Sequence, residues 1–519
     1  MARRGGPGLT RAGRGNVRGL IVKLLLLALI NAGALLLLPA MIDEEKWAFV
    51  AFTVISTVAL NVIYLTKRAI PLKYLAPATV FLIAFQVYPV VYTGYIAFTN
   101  YSTGHVLNKD DVIERLETQR LFTPEGAVRY RSVPMTRGDE FALLLTDPDG
   151  RQFLGTSEGL TPIEEAGAVQ GSGTSIQAVG DYRRLPLGEA NARQEELLAF
   201  RVPTEQGEVQ LESLSAAAVK QPLLDYDPDT DTVTNRQTGV TYTPREGQFV
   251  SADGQGLDPG WRVLTGTENF TRAFTTESIR GPFVRVFAWT YAFAILSVVL
   301  PFAFGLLLAV TLNDKRMRTR GIYRVLLIVP YALPSFLTAL IWAGMLNQDF
   351  GVINRLIGSN IGWLNDPWLV KLSIVAVNTW LGVPYMFIVI TGALQAMPDE
   401  LLEAAKVDGA RPLSAFRLVT FPLLLVALAP LLIASFAFNF NNFNTIYLLA
   451  RGGPPIEGAE TPAGHSDILI TYVYRLAFEG GRGQEFAFAA AIAMLIFVMV
   501  AAISYLGFRR TRALEEVNA

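Results

Sequence analysis

Long apolar runs broken by short polar loops dominate both ends of the chain. A helix rising 1.5 Å per residue needs about 20 apolar residues to cross roughly 30 Å of hydrocarbon. Eight windows meet that length: Leu20 to Leu38, Trp47 to Thr66, Tyr74 to Phe98, Val284 to Leu312, Tyr323 to Leu346, Leu369 to Met397, Leu418 to Leu449 and Phe486 to Phe508. Between the third and fourth windows the pattern changes to short alternating segments such as GEVQLESL and TVTNRQTGVTYTP, punctuated by Gly, Pro, Asp and Asn. Alternation with period two predicts strands, and the turn residues predict their ends. The expected fold is therefore an all-α polytopic membrane protein of eight transmembrane helices, with a β-rich domain inserted after the third span. The predicted partition is 1–99 for the tail and spans one to three, 100–281 for the β-rich domain, and 282–519 for the remaining five spans.

Composition agrees with a membrane protein: 51% of the 519 residues are hydrophobic and 17% are charged, against about 25% charged in soluble domains. The formal net charge of -1 conceals a segregation along the chain. Basic residues gather in the N-terminal segment (Arg3, Arg4, Arg11, Arg14, Arg18, Lys23), in the loops at Lys67, Arg68 and Lys73 and at Lys315, Arg316, Arg318, Arg320 and Arg324, and at Arg509, Arg510 and Arg512. With eight spans these all fall on one side, which the positive-inside bias assigns to the cytoplasm. Both termini are then expected inside and the β-rich domain outside. The first apolar run resembles a secretory leader, but a second run follows after only a short MIDEEK loop, which suits a retained hairpin.

The chemistry available is narrow. With no cysteine and two histidines, His105 and His465, a disulfide framework, a Cys/His zinc site and a thiol nucleophile are all excluded. No Walker A sequence, dinucleotide-binding glycine loop or nucleophile elbow is found. No metal, cofactor or catalytic residue is expected in this chain, and nothing in its charge pattern calls for nucleic acid.

Two segments carry the functional signal. The loop between spans six and seven, 398–422, reads MPDELLEAAKVDGARPLSAFRLVTFPLL from Met397. Pro398 and the acids after it suit a helix start, Gly409 a left-handed helix end, and Pro412 the first turn of the next helix. Two short helices joined by a tight turn are expected. Further along, NTWLGVPYMF contains Pro384, whose missing amide hydrogen deprives the Trp380 carbonyl of a donor and predicts a broken helix. In span seven, FAFNFNNFN places Asn439 and Asn442 three residues apart on one helical face. Amides interleaved with aromatic rings suit a sugar, whose C–H face rests on a ring and whose hydroxyl rim bonds the amides. Interhelical hydrogen bonding is the alternative for the amides, and a packing kink for the proline.

The spacing Glu403-Ala404-Ala405, then Gly409, then Val419-Thr420-Phe421-Pro422 resembles the EAA loop of the permease family of ABC importers, with Val419 and Phe421 as conservative departures. NTWLGVPYMF, ASFAFNFNNF, TPAGHSD, the span count and the position of the insertion extend that resemblance to the larger permeases of maltose and maltodextrin importers. The resemblance implies that Glu403, Ala404, Ala405 and Gly409 dock into a separate ATP-binding subunit. It also implies that Tyr331, Ser335, Trp380, Leu381, Gly382, Tyr385, Phe438, Asn439 and Asn442 form the substrate site. The implied partners are a second permease subunit, two ATP-binding subunits carrying ATP and Mg, and an extracytoplasmic sugar-binding protein, all in an inner membrane and in contact with its lipid. A permease for another sugar or small solute stays open. An ion-coupled secondary transporter is the other alternative, although the span cores lack the ionisable residues it would need.

Overall fold

The computed structural model describes residues 17–66, 70–313, 317–481 and 483–518. Arg3, Arg4, Arg11 and Arg14, together with Lys67, Arg68, Lys315 and Arg316, lie outside the described residues, so the orientation reading at those positions does too. The chain divides into two units, Met1–Tyr95 and Ile96–Ala519.

The first unit is built from the first three apolar helices. Val17–Asp43 and Trp47–Leu65 form a hairpin, and a third helix begins at Ile70. Their apolar side chains point mostly outward, as a lipid solvent allows. Asn31 and Asn61 clamp the hairpin by exchanging amide hydrogen bonds of 3.1 and 2.9 Å. The third helix widens into a π turn at Ile83–Val87, just before Pro89. A proline cannot donate to the carbonyl four residues back, and a wider turn accommodates the mismatch.

In the second unit the inserted region forms two antiparallel sheets, one of eleven strands and one of five. In the larger, Arg129–Arg137 pairs with Glu140–Thr146 on one side and Ala216–Pro222 on the other. Leu143, Leu145, Val202, Val209 and Val219 fill its core. The smaller sheet is a meander from Leu224–Asp227 to Gly256–Leu257, with Val233, Phe249 and Trp261 buried against the helix Lys109–Gln119.

The membrane helices of this unit are Glu277–Leu312, a pair Arg320–Ala332 and Ser335–Met345 bent by 92°, Leu369–Ala396, Pro412–Ala450 and Phe486–Arg509. Among the described residues seven helices are long and apolar enough to cross a membrane, or eight spans when the bent pair counts as one. The expected break at Pro384 is absent: Leu369–Ala396 runs through it as one helix. The breaks fall instead in the fifth span, at Leu333 and Pro334, and in the seventh, at Asn441 and Asn442. The physical reason for the first is a pair of prolines four apart. Pro334 would have been the donor to the Pro330 carbonyl, and it drives Leu333 into an extended conformation with ψ 139°. Pro384 removes only one bond, and its helix is held against the fourth span by close backbone contact. A methyl group at Gly305 would meet Met386 Cβ at 2.8 Å and the Phe387 nitrogen at 3.0 Å.

Between the seventh span and the short helix Leu469–Phe478, the loop is anchored by the buried carboxylate of Asp467. It accepts from the Gly464 amide at 2.8 Å, from Thr471 Oγ1 at 2.9 Å and from Arg475 Nη1 at 2.7 Å. Arg475 also pairs with Glu479 at 3.3 Å, and Glu479 accepts from the Tyr447 hydroxyl.

Candidate functional site

The breaks in the fifth and seventh spans open onto one cavity of about 690 Å³. Its wall is built by the fourth to seventh spans. Irregular backbone at membrane depth is tolerated only against protein or a wet cavity, so these breaks belong where they are found. Eight of the nine substrate-site residues expected from the sequence line it: Tyr331, Ser335, Leu381, Gly382, Tyr385, Phe438, Asn439 and Asn442. Tyr331 and Tyr385 stack with ring centroids 6.2 Å apart and planes 19° apart, which puts a pair of near-parallel aromatic rings on the cavity wall. The ninth residue, Trp380, lies outside this wall, packed edge-on against Trp342 at 5.6 Å.

Asn439 and Asn442 do meet at the cavity, but not as neighbours on one helix. Asn439 belongs to the last turn of Phe421–Phe440, whereas Asn442 caps the following helix, its Oδ1 accepting from the Thr445 amide at 3.2 Å. Asparagine is favoured at such a cap because its side-chain oxygen satisfies an orphan amide. Both are held by a residue the sequence reading did not single out. Asn378, buried in the sixth span, donates to Asn439 Oδ1 at 2.9 Å and accepts from Asn442 Nδ2 at 3.0 Å. The signal was present in the sequence: Asn378 precedes Leu381, Gly382 and Tyr385 by three, four and seven residues, which places all four on one helical face. Ser297 of the fourth span also lines the cavity, and its buried hydroxyl makes no hydrogen bond within the described structure. Nothing in the sequence marked it.

The second site is the elbow. Asp399–Val407 forms the first helix, and Gly409 follows with φ +80°. Its amide donates to the Lys406 carbonyl at 3.0 Å and that of Ala410 to the Ala405 carbonyl at 2.9 Å, the paired bonds of a Schellman ending. The second helix is not free-standing as expected. Pro412–Ala415 passes through a π turn at Phe416–Thr420 directly into the seventh span. Glu403 and Ala404 are exposed and Ala405 is half-buried. Leu401, Val407 and Leu413 are also exposed, at 43%, 87% and 77%. The elbow thus presents exposed apolar side chains beside an acid.

Apolar spans around a polar, aromatic-floored cavity, with a rigid exposed elbow between two of them, define a multi-pass transport protein. Residues 262–512 match the family described as binding-protein-dependent transport system inner membrane component. Residues 80–158 match the N-terminal region of the transmembrane subunit in binding-protein-dependent ABC transporters. The chain is 39% identical over 489 residues to the maltose/maltodextrin transport system permease protein MalF of Escherichia coli K12, covering 92% of this chain and 94% of that one. It is 36% identical over 520 residues to the protein of the same name from Yersinia pestis, covering 95% and 94%. A bacterial alginate ABC importer is similar in structure over 48% of this chain and 84% of its own, with a TM-score of 0.41 and 22% identity. The chain belongs to the family of ABC importer permeases, the inner-membrane components of binding-protein-dependent transport systems. It is a transport subunit of an ATP-driven importer and not itself an enzyme, since hydrolysis resides in a separate subunit.

Proposed function

We infer that this protein is the larger permease subunit of an importer for maltose and maltodextrins, and that the cavity between its fourth and seventh spans is the sugar site. The observation that carries this reading is the pairing of a tyrosine stack with an amide cluster in one cavity, in a chain so similar to MalF proteins. A pyranose ring rests its C–H face on the aromatic surface and offers its hydroxyl rim to the amides. Tyr331, Ser335, Leu381, Gly382, Tyr385, Phe438, Asn439 and Asn442 are assigned to contact with the sugar. Trp380, packed on Trp342, supports the wall from behind.

In the assembly we envisage, the elbow seats Glu403, Ala404, Ala405 and Gly409 in a cleft of an ATP-binding subunit that holds ATP and Mg. A second such subunit, a second permease and a sugar-binding protein complete the complex. Both termini face the cytoplasm, and residues 100–281 face outward, where the binding protein delivers sugar. Reconstituting the chain with those partners and measuring uptake tests the reading. Asn439→Ala and Asn442→Ala should each reduce maltose uptake at least several-fold at unchanged complex abundance, since a lost buried hydrogen bond costs about 1 to 3 kcal/mol. Trp380→Phe should transport nearly as the wild type. Wild-type uptake by both asparagine variants would remove the site assignment, and uptake without the ATP-binding subunits would favour ion coupling.

A further inference from the structure

The stretch Asn313 to Arg324, which joins the fourth span to the fifth, holds five basic residues, Lys315, Arg316, Arg318, Arg320 and Arg324, against one acid, Asp314. The last three basic residues fall within the described structure. Arg318 is exposed in the turn before the helix Arg320–Ala332, and Arg320 and Arg324 are half-buried on that helix, four residues apart and so on one face. Arg324 donates from Nη2 to the Leu312 carbonyl at 3.0 Å, closing the end of the fourth span, while its Nε is buried and makes no hydrogen bond. The fold therefore uses one of the five N–H donors of this guanidinium. Among the described residues none of the three arginines meets a carboxylate, and the first turn of their helix carries no acid. Like charges at i and i+4 repel and weaken a helix. An anion placed beside them removes that cost.

The rest of the helix narrows the choice of anion. On its opposite side Ile322, Val325, Leu326 and Val329 recur at i, i+3, i+4 and i+7 as an exposed apolar stripe, so within one turn of Arg320 the helix already has an apolar surface. Tyr323, also exposed, stands at the same level. Arginines at the foot of an apolar helix, beside a tyrosine, are the composition of the boundary where hydrocarbon gives way to headgroups. The anion concentrated at that boundary is the lipid phosphodiester, and the planar fork of a guanidinium can bond two phosphate oxygens at once. We propose that Arg318, Arg320 and Arg324 form a site for the phosphate of an anionic phospholipid, seated at the joint between the fourth and fifth spans. Basic loops also orient spans during insertion, but that role depends on charge alone and asks for no half-buried pair on one helical face. The site lies apart from the sugar cavity and stands whatever that cavity binds.

The test counts lipid on the protein. The full chain, purified with its partner subunits in detergent and phosphatidylcholine, is titrated with phosphatidylglycerol or with further phosphatidylcholine of the same acyl chains, and the lipids held per complex are read by native mass spectrometry. The wild type should hold one phosphatidylglycerol about tenfold or more tighter than phosphatidylcholine, since each basic residue near an anionic surface is worth a factor of about five. The double variant Arg318→Gln/Arg320→Gln should lose most of that preference. It keeps Lys315 and Arg316 to orient the spans, and it keeps Arg324, which closes the fourth span. Neither altered arginine makes a hydrogen bond or ion pair among the described residues, so the thermal midpoint should stay at the wild-type value. The other subunits are the same in both samples, so the difference belongs to this chain. Equal preference for phosphatidylglycerol in wild type and variant would overturn the site. Displacement of the lipid by a millimolar excess of inorganic phosphate would overturn it in favour of a free anion. A variant that keeps its phosphatidylglycerol but sheds the ATP-binding subunits would overturn it in favour of a protein contact.

Discussion

Gly305 of the fourth span lies so close to Met386 of the sixth that a methyl group on it would come within 2.8 Å of Met386 Cβ and 3.1 Å of the Met386 carbonyl carbon. Beside it, a methyl at Gly382 would meet Pro301 Cγ at 3.0 Å. Small residues that let two membrane helices approach backbone to backbone are a common basis of association in lipid. Gly305→Ala should therefore destabilise the protein by about 1 to 3 kcal/mol, because the obstructing atoms are backbone and Cβ and cannot rotate away. The matched control is Gly392→Ala in the same sixth span, where nothing lies within 4 Å, and where alanine should be neutral or stabilising by up to about 1 kcal/mol. Thermal denaturation of the purified protein in one detergent compares the two. Equal midpoints would show that the crossing is looser than this.

The elbow gives a second prediction. At φ +80° with open space around it, Gly409 resists replacement only through its backbone. Gly409→Val should add on the order of 1 to 3 kcal/mol of local strain without a clash elsewhere. Glu403→Lys reverses an exposed charge and leaves the fold untouched. Both variants should insert and accumulate normally yet lose co-purification of the ATP-binding subunit or uncouple hydrolysis from uptake. Normal association and uptake in both would end the coupling role.

Burial pushes the Asp467 carboxyl up to about 6 from 3.8, against the opposing pull of Arg475, Thr471 and the Gly464 amide. A group whose folded value is raised favours the native state most when protonated. Its contribution is complete below about pH 4 and is lost as pH climbs through about 6, a difference on the order of 3 kcal/mol. Thermal midpoints taken from pH 4.5 to 7 should fall more steeply for the wild type than for Asp467→Asn, which has no proton to lose. Parallel curves would mean that the ion pair with Arg475 offsets burial in full.

The orientation of the chain can be read by labelling. The natural sequence has no cysteine, so single cysteines need no background removed. Ser251 is buried in its strand, whereas Asp253 in the adjacent turn and Ser414 at the elbow are exposed. In intact cells an impermeant thiol reagent should mark Asp253→Cys and spare Ser414→Cys until the membrane is opened. The opposite order would invert the topology.

The long elements were legible because length and apolar content alone decide whether a helix can cross a bilayer, and the alternating segments between 100 and 281 were legible because sheet pleating has period two. The elbow was legible to the residue at Gly409, since left-handed backbone so strongly favours glycine. The positions of the breaks were not. Pro384 and Pro334 look alike in sequence, and only the second proline at Pro330 and the packing of Gly305 against the sixth span decide which helix stays whole. Asn439 and Asn442 stand out in the sequence as amides in an apolar run, but the break at Asn441 that takes them off one helical face is invisible to spacing. In the sequence Asn378 is one polar residue in a long helix; its importance comes from two partners more than sixty residues away.

The π turn at Phe416–Thr420 welds the elbow to the seventh span without an intervening loop. From Pro412 to Asn439 the backbone is helical throughout, a length of roughly 40 Å at 1.5 Å per residue, and Asn439 sits at the far end. The elbow is thus one end of a continuous helical run whose other end carries Asn439, while its partner Asn378 rides on a different helix. Any rotation imposed at the elbow must either carry the sixth span along or pull Asn439 away from Asn378, so the docking and sugar-binding roles proposed above would be joined at this one contact.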